Sequence, residues 1–140
     1  AVCQETLRLR PPVAGFGRTL CAEQTVAGVA LPAGSTVIAN ILWTHFDPAL
    51  YPDPDAFRPE RFLERTFSPF EFLPFGGGNR RCIGAAFALY EMKLVLATLV
   101  ARFDFELQTK LPIRVVQREF LQPHVPLSMV VREAAVNHRN

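Results

Sequence analysis

Cys82 stands near the end of the run Phe75-Gly-Gly-Gly-Asn-Arg-Arg-Cys-Ile-Gly84, just before a long apolar segment that ends near Phe103. A helix start presents unpaired N–H groups and the positive end of the macrodipole, and both stabilise a thiolate. A thiolate at the end of such a loop is a soft metal ligand. No second cysteine or histidine lies nearby, so a metal bound there must bring most of its own ligands, as the iron of haem does. A phosphate-cradling loop would need G-x-x-x-x-G-K-[ST], and no Lys-Ser or Lys-Thr occurs here. A dinucleotide fingerprint would need a third glycine where Arg81 stands. An inert buried thiol is the commonest fate of a free cysteine, so the flanking residues must decide.

The elements that would hold this loop follow from the residues around it. Residues 84–102 read as the best helix in the chain. Glu91, Thr98 and Arg102 fall on one narrow polar stripe and the remainder is mostly apolar, which predicts a nearly buried helix with Lys93 snorkelling out. Glu91, Lys93 and Arg102 make a membrane span costly there. Residues 1–10 read as the end of a helix stopped by Pro11-Pro12, with Glu5 and Arg8 on one face. Residues 13–45 read as a β region. A hairpin is expected there, with arms Gln24–Leu31 and Ser35–Leu42 about a Pro32-Ala-Gly34 turn. Pro48, Pro52, Pro54, Pro59, Pro69 and Pro74 make 46–74 irregular and stiff. Its aromatic residues, among them Tyr51, Phe62, Phe67 and Phe72, argue that it is packed rather than disordered. Residues 103–132 alternate weakly and read as short β pairs, and the tail from Ala134 as frayed. The fold class expected is mainly α with small β-sheets, α+β.

With 140 residues, 49% hydrophobic content and a net charge of +2, the chain is long and apolar enough for a globular core. The charge is too small to imply nucleic acid or an anionic membrane as its main partner. Cys3, Cys21 and Cys82 are an odd set without C-x-x-C spacing, which argues against a disulfide framework or zinc site and fits a reducing compartment. Cys3 and Cys21 read as small hydrophobes, and His45, His124 and His138 as surface or loop histidines. The chain opens inside an apparent helix, so a partial domain lacking its N-terminal portion is expected, with a cytoplasmic setting and no membrane span of its own.

Three groups of residues resemble the cytochrome P450 family. Phe75, Gly78, Arg80, Cys82 and Gly84 fit the haem-binding loop F-x-x-G-x-R-x-C-x-G, and Ala88 and Glu91 continue it. Glu5-Thr-Leu-Arg8 is similar to the family's Glu-x-x-Arg signature. Pro59-Glu-Arg-Phe62 is an unmodified copy of its Pro-Glu-Arg-Phe motif, and His45-Phe-Asp-Pro48 resembles H-x-D-P, with Phe46 where Arg is commoner. The resemblance covers residues 1 to about 132, with its motifs in the family's order.

The resemblance implies the C-terminal, haem-binding part of the cytochrome P450 fold. Cys82 would be the axial thiolate of the haem iron, and Arg80, together with Arg18, would meet the propionates. Phe75 would cover the proximal face, and the N–H groups of Ile83 and Gly84 would tune the sulfur. Glu5, Arg8 and Arg61 would form a bracing network, Arg suiting it through its planar fork. Val13, Ala14, Gly15 and Phe16 would line the substrate pocket. The activity implied is a haem-thiolate monooxygenase that puts one atom of O₂ into an apolar substrate, with electrons from a ferredoxin or flavoprotein reductase. A haem-thiolate isomerase or peroxygenase, or a haem-binding sensor, would use the same loop. The oxygen-side helix lies upstream in the family, so these residues alone are expected to be inactive.

Overall fold

The computed structural model describes residues 1–110 and 112–134, in two compact units, Ala1–Arg81 and a second beginning at Cys82. Ala134 is described, and the rest of the expected frayed tail lies outside the described residues.

The first unit opens with helix α1, Val2–Leu9. Cys3, Glu5, Leu7 and Arg8 are its buried residues, so its inner face carries an ion pair among apolar side chains. It ends where Pro11-Pro12 follow, because proline disfavours helical geometry in the residue before it and brings no N–H of its own. Strand β1, Gly15–Thr19, then pairs antiparallel with β4, Thr36–Asn40, in a register running from Gly15↔Asn40 to Thr19↔Thr36. The two backbones meet closely at Gly15, where an added β-carbon would lie 2.7 Å from the Ala39 carbonyl oxygen.

The expected hairpin is corrected. Its first arm folds on itself: β2, Gln24–Val26, pairs with β3, Val29–Leu31. The turn residues Ala27 and Gly28 both have positive φ, 49° and 81°, the backbone of a two-residue hairpin turn whose twist suits its strands. Alanine is not the residue such a turn favours, so the signal was weak. The Pro32–Gly34 turn instead delivers β4 onto β1, and Ile41 and Leu42 belong to helix α2, Ile41–His45. Asn40 caps that helix, its side chain accepting the Trp43 N–H at 3.0 Å.

After α2 the proline-rich segment holds only one short helix, α3, Arg61–Glu64. It is packed by rings: Tyr51 stacks on Phe67 at 4.7 Å, Phe62 lies 4.9 Å from Phe67 and 5.0 Å from Phe72, and Phe72 stacks on His45 at 5.7 Å. Tyr51, Ile41 and Leu73 are buried with Leu7 and Cys3 as the apolar core of this unit. His45, read as a surface or loop histidine, is corrected to a fully buried one, and Cys21, read as a small hydrophobe, is exposed.

The second unit contains helix α4, Ala85–Arg102, with Gly84 as N-cap. Two antiparallel pairs follow: β5, Phe103–Leu107, with β8, Met129–Glu133, and β6, Val115–Gln117, with β7, Leu121–Pro123. The expected burial of α4 is also corrected. Phe87, Tyr90, Leu94, Val95 and Val100 are exposed, and Ala85 is its buried residue. A helix apolar on nearly every side needs neighbours on every side, and the described residues of its own unit do not supply them. Among the described residues, helices with four two-stranded sheets give the mixed, mainly helical class.

Candidate functional site

Glu5 is wholly buried and accepts four donors. Oε2 takes Arg8 Nε at 2.7 Å, and Oε1 takes Arg8 Nη2 at 2.8 Å, the Arg58 backbone N–H at 2.9 Å and Arg61 Nε at 3.1 Å. The remaining guanidinium donors go to carbonyls: Arg8 to His45 and Ala56 at 2.7 and 3.2 Å, Arg61 to Pro52 and Asp53 at 3.0 and 3.4 Å. Among the described residues no buried side-chain N or O lacks a partner, which is the condition under which buried charge is tolerable. Both arginines also lie over the Tyr51 ring, at 5.1 and 6.0 Å. Burial pushes the Glu5 carboxyl up, but the Arg8 and Arg58 hydrogen bonds and the two guanidinium charges outweigh it and hold the group below its ordinary range.

The structure thus brings Glu5, Arg8 and Arg61 together. Three of these bonds, Arg8 to the Ala56 carbonyl and the Arg58 N–H and Arg61 Nε to Glu5, tie α1 to the proline-rich segment, so the network fixes the path of residues 56–61.

His45 belongs to the same constellation; the sequence marked it as the head of the H-x-D-P match, but it was read as a surface or loop histidine. Nδ1 lies 3.0 Å from the Arg8 carbonyl and Nε2 lies 2.9 Å from the Leu73 nitrogen. A backbone N–H only donates, so Nε2 is the acceptor and Nδ1 carries the proton. Burial lowers the pKa of the ring to about 4, in keeping with a neutral imidazole.

Beyond Leu73 comes the glycine loop. Pro74 is buried and Phe75 half-buried. Gly76 donates its N–H to the Leu73 carbonyl at 2.9 Å. Its φ of 70° is the left-handed region that suits glycine. A short 3₁₀ turn, Gly78–Arg80, follows, closed by the Arg81 N–H on the Gly78 carbonyl at 3.1 Å. Arg80 is exposed.

Strand β1 reaches this loop. A β-carbon on Gly76 would lie 3.8 Å from the Phe16 ring, and the Arg18 guanidinium sits 4.8 Å above that same ring. Arg18 donates to the Gly17 carbonyl and is otherwise open to solvent. Of the residues expected to line a pocket, Ala14, Gly15 and Phe16 are half-buried, while Val13 is exposed. The Ala14 carbonyl accepts the Ile41 N–H at 2.8 Å, which joins β1 to α2.

The second unit begins with the thiol. Cys82 is free and exposed, two residues before the N-cap of α4, and its carbonyl accepts the Ala85 N–H at 3.3 Å. A β-carbon on Gly84 would stand 3.8 Å from Sγ, so the glycine leaves that side of the sulfur uncovered. Ile83 is fully exposed and Phe87 largely so. Among the described residues no group of three or more His, Cys, Asp or Glu could hold a metal ion. A lone soft donor beside exposed apolar side chains fits an iron whose other ligands come with an apolar macrocycle. It does not fit a zinc or calcium site built by the protein.

A family model described as cytochrome P450 matches residues 1–131. Cytochrome P450 135B1 of Mycobacterium tuberculosis is 49% identical over 109 residues, which are 78% of this chain and 23% of that protein. Cytochrome P450 3A29 of Sus scrofa is 38% identical over 143 residues, 97% of this chain and 28% of the relative. The solved structure of retinoic acid bound cyanobacterial CYP120A1 matches with a TM-score of 0.87 at 40% identity, covering 95% of this chain and 32% of that one. The chain therefore spans between 23% and 32% of the length of these relatives. No helix among the described residues is long and apolar enough to cross a membrane.

Proposed function

The chain belongs to the cytochrome P450 family, and from that premise we propose that Cys82 would give its thiolate to the iron of a haem in a monooxygenase acting on an apolar organic substrate. The observation that carries the reading is the free, exposed thiol of Cys82 just before the N-cap of α4, with no protein-built metal cluster among the described residues. When bound, haem supplies the oxygen chemistry: one atom of O₂ enters the substrate and the other leaves as water, with electrons from a ferredoxin or flavoprotein reductase.

The chain's own residues hold and insulate that chemistry. Cys82 gives its sulfur as a donor, and the N–H groups of Ile83 and Gly84 temper it. Arg80 and Arg18, both exposed, neutralise the propionates. Phe75 excludes water from the sulfur side, and Gly78 lets the loop turn. Glu5, Arg8 and Arg61 act structurally, by fixing the segment that leads to the loop. Val13, Ala14, Gly15 and Phe16 present a small, apolar wall to substrate.

The test is a reduced carbon-monoxide difference spectrum of the full-length protein beside its Cys82→Ala variant. A strongly red-shifted Soret band that vanishes in the variant is expected. No haem uptake, or a band indifferent to the loss of Cys82, would overturn the assignment. NAD(P)H consumption matched to product, with a reductase present, is expected of a monooxygenase. Product formed without it would assign an isomerase or peroxygenase instead.

A further inference from the structure

The first unit's part of the glycine loop hangs on Leu73. Its carbonyl accepts the Gly76 N–H at 2.9 Å, and its buried side chain is the nearest neighbour of the open β-position of Gly77, at 3.3 Å. Its own N–H goes to His45 Nε2 at 2.9 Å. His45 in turn is held on every side. Nδ1–H donates to the Arg8 carbonyl, the ring stacks on Phe72 at 5.7 Å, and it meets Tyr51 edge-on at 6.1 Å.

We propose that His45 is a positioning residue of the candidate haem loop: its neutral ring fixes the Leu73 peptide and, through Leu73, the point at which Gly76 begins the loop. The proposal rests on the reading of that loop given above. It joins the buried Glu5–Arg8 pair to the loop through a single side chain, since Arg8 supplies the carbonyl on one side of the ring and Leu73 the amide on the other.

The chemistry requires a particular side chain at position 45. A packing role would need only a flat ring in the slot between Phe72 and Tyr51. A positioning role needs an acceptor aimed at Leu73. A second proton on the ring would set N–H against N–H at Nε2 and break the tie. The charged groups facing His45 are Glu5 and Arg8 of α1, and Glu5 is already engaged by four donors. Tyr51 and Phe72, from the proline-rich segment, present neutral rings. No free anion stands ready to hold an imidazolium in this set.

Amide hydrogen exchange on the full-length protein tests this, with the carbon-monoxide spectrum recorded on the same samples. His45→Gln keeps an oxygen that can accept the Leu73 N–H, whereas His45→Phe fills the slot without an acceptor. Loss of one buried hydrogen bond is expected to speed exchange at Leu73 and Gly76 by about tenfold in His45→Phe. Exchange in the β1–β4 pair should stay unchanged, and His45→Gln should recover most of the protection. Haem retention should follow the same order. A His45→Phe protein with wild-type protection at Leu73 and Gly76 overturns the proposal. If both variants fail to fold, the wild-type pH profile decides. Protection at Leu73 and Gly76 lost on acidification before that of β1 and β4 supports the proposal, and simultaneous loss overturns it. Exchange reads the tie with or without bound cofactor, so a wild-type protein that lacks the haem band but keeps the exchange pattern would sink the functional reading and leave the His45–Leu73 tie standing.

Discussion

Arg61 reaches Glu5 across 56 positions of sequence and donates Nε to it at 3.1 Å, in a site where both side chains are almost completely shielded from water. The pair is worth little as a gain in Coulomb energy, because both charges gave up hydration to meet. Its weight lies in what happens when one member goes. Glu5→Gln leaves the Arg8 and Arg61 guanidiniums buried without their anion, and should lower unfolding stability by about 3–5 kcal/mol. Arg61→Lys should also be costly, since one ammonium cannot serve Glu5 and the Pro52 and Asp53 carbonyls in the same fork geometry. Urea unfolding midpoints at neutral pH check both. A Glu5→Gln midpoint within error of wild type would mean the network carries no stability.

Acid should act on this constellation in two stages. Buried His45 stays neutral in the folded protein down to about pH 4, whereas an unfolded histidine takes its proton near 6.5. The unfolded state therefore binds more protons between those values, and stability falls as the pH drops through that window, by up to about 3 kcal/mol. Glu5 adds a later loss. Its contribution is complete above the ordinary carboxyl value of 4.5 and disappears as the pH falls through its lowered folded value. His45→Gln should flatten the stability curve between pH 6.5 and 4 and leave the steeper fall below it. A variant curve parallel to wild type across that window would show that His45 is not the group responsible.

The parts legible in the sequence were those written as motifs at fixed spacing. Pro11-Pro12 ends α1, and the motif residues Glu5, Arg8 and Arg61 lie in one ion-paired cluster. The contacts of His45 and of the Arg58 N–H were not legible: the H-x-D-P match marked His45 but not its partners 37 and 28 positions away, and no local pattern reports the bond from the Arg58 N–H to Glu5 across 53 positions. The pairing of β1 with β4 was missed for a related reason. Strand partners follow from turn geometry, and Ala27-Gly28 hid one turn while Pro32–Gly34 advertised another. The exposure of α4 was illegible in principle: its residues declare that they want cover, and nothing in them says what provides it.

Tyr51 separates ring from hydroxyl in the support of the network. It is fully buried, stacks on Phe67, lies beneath Arg8 and Arg61, and donates its hydroxyl to the Glu71 carbonyl at 2.8 Å. Tyr51→Phe keeps the ring, and should cost about 1 kcal/mol for the lost hydrogen bond. Tyr51→Leu removes both the stacking and the face the guanidiniums rest on, and should cost roughly 3 kcal/mol, in the range of large core truncations. Thermal or urea unfolding of the two variants gives the difference directly. Equal losses would place the stabilisation in the hydroxyl rather than the ring.

Gly76 offers a way to tell space from conformation in the loop. A β-carbon there would meet the Phe16 ring at 3.8 Å, an ordinary contact, so there is room for alanine. The backbone is what forbids it: at a φ of 70° an L-residue crowds its own carbonyl, a cost of about 1–2 kcal/mol. Gly76→Ala should therefore destabilise the first unit by that amount, and Gly76→Asn by less, because asparagine visits the left-handed region more readily. If crowding against Phe16 were the cause, the order would reverse, since asparagine is the larger residue. In that case Phe16→Ala would rescue Gly76→Asn. Unfolding midpoints of the two glycine variants, alone and with Phe16→Ala, decide between strain and space. An unchanged difference in the Phe16→Ala background is the outcome expected, because the strain belongs to residue 76 itself.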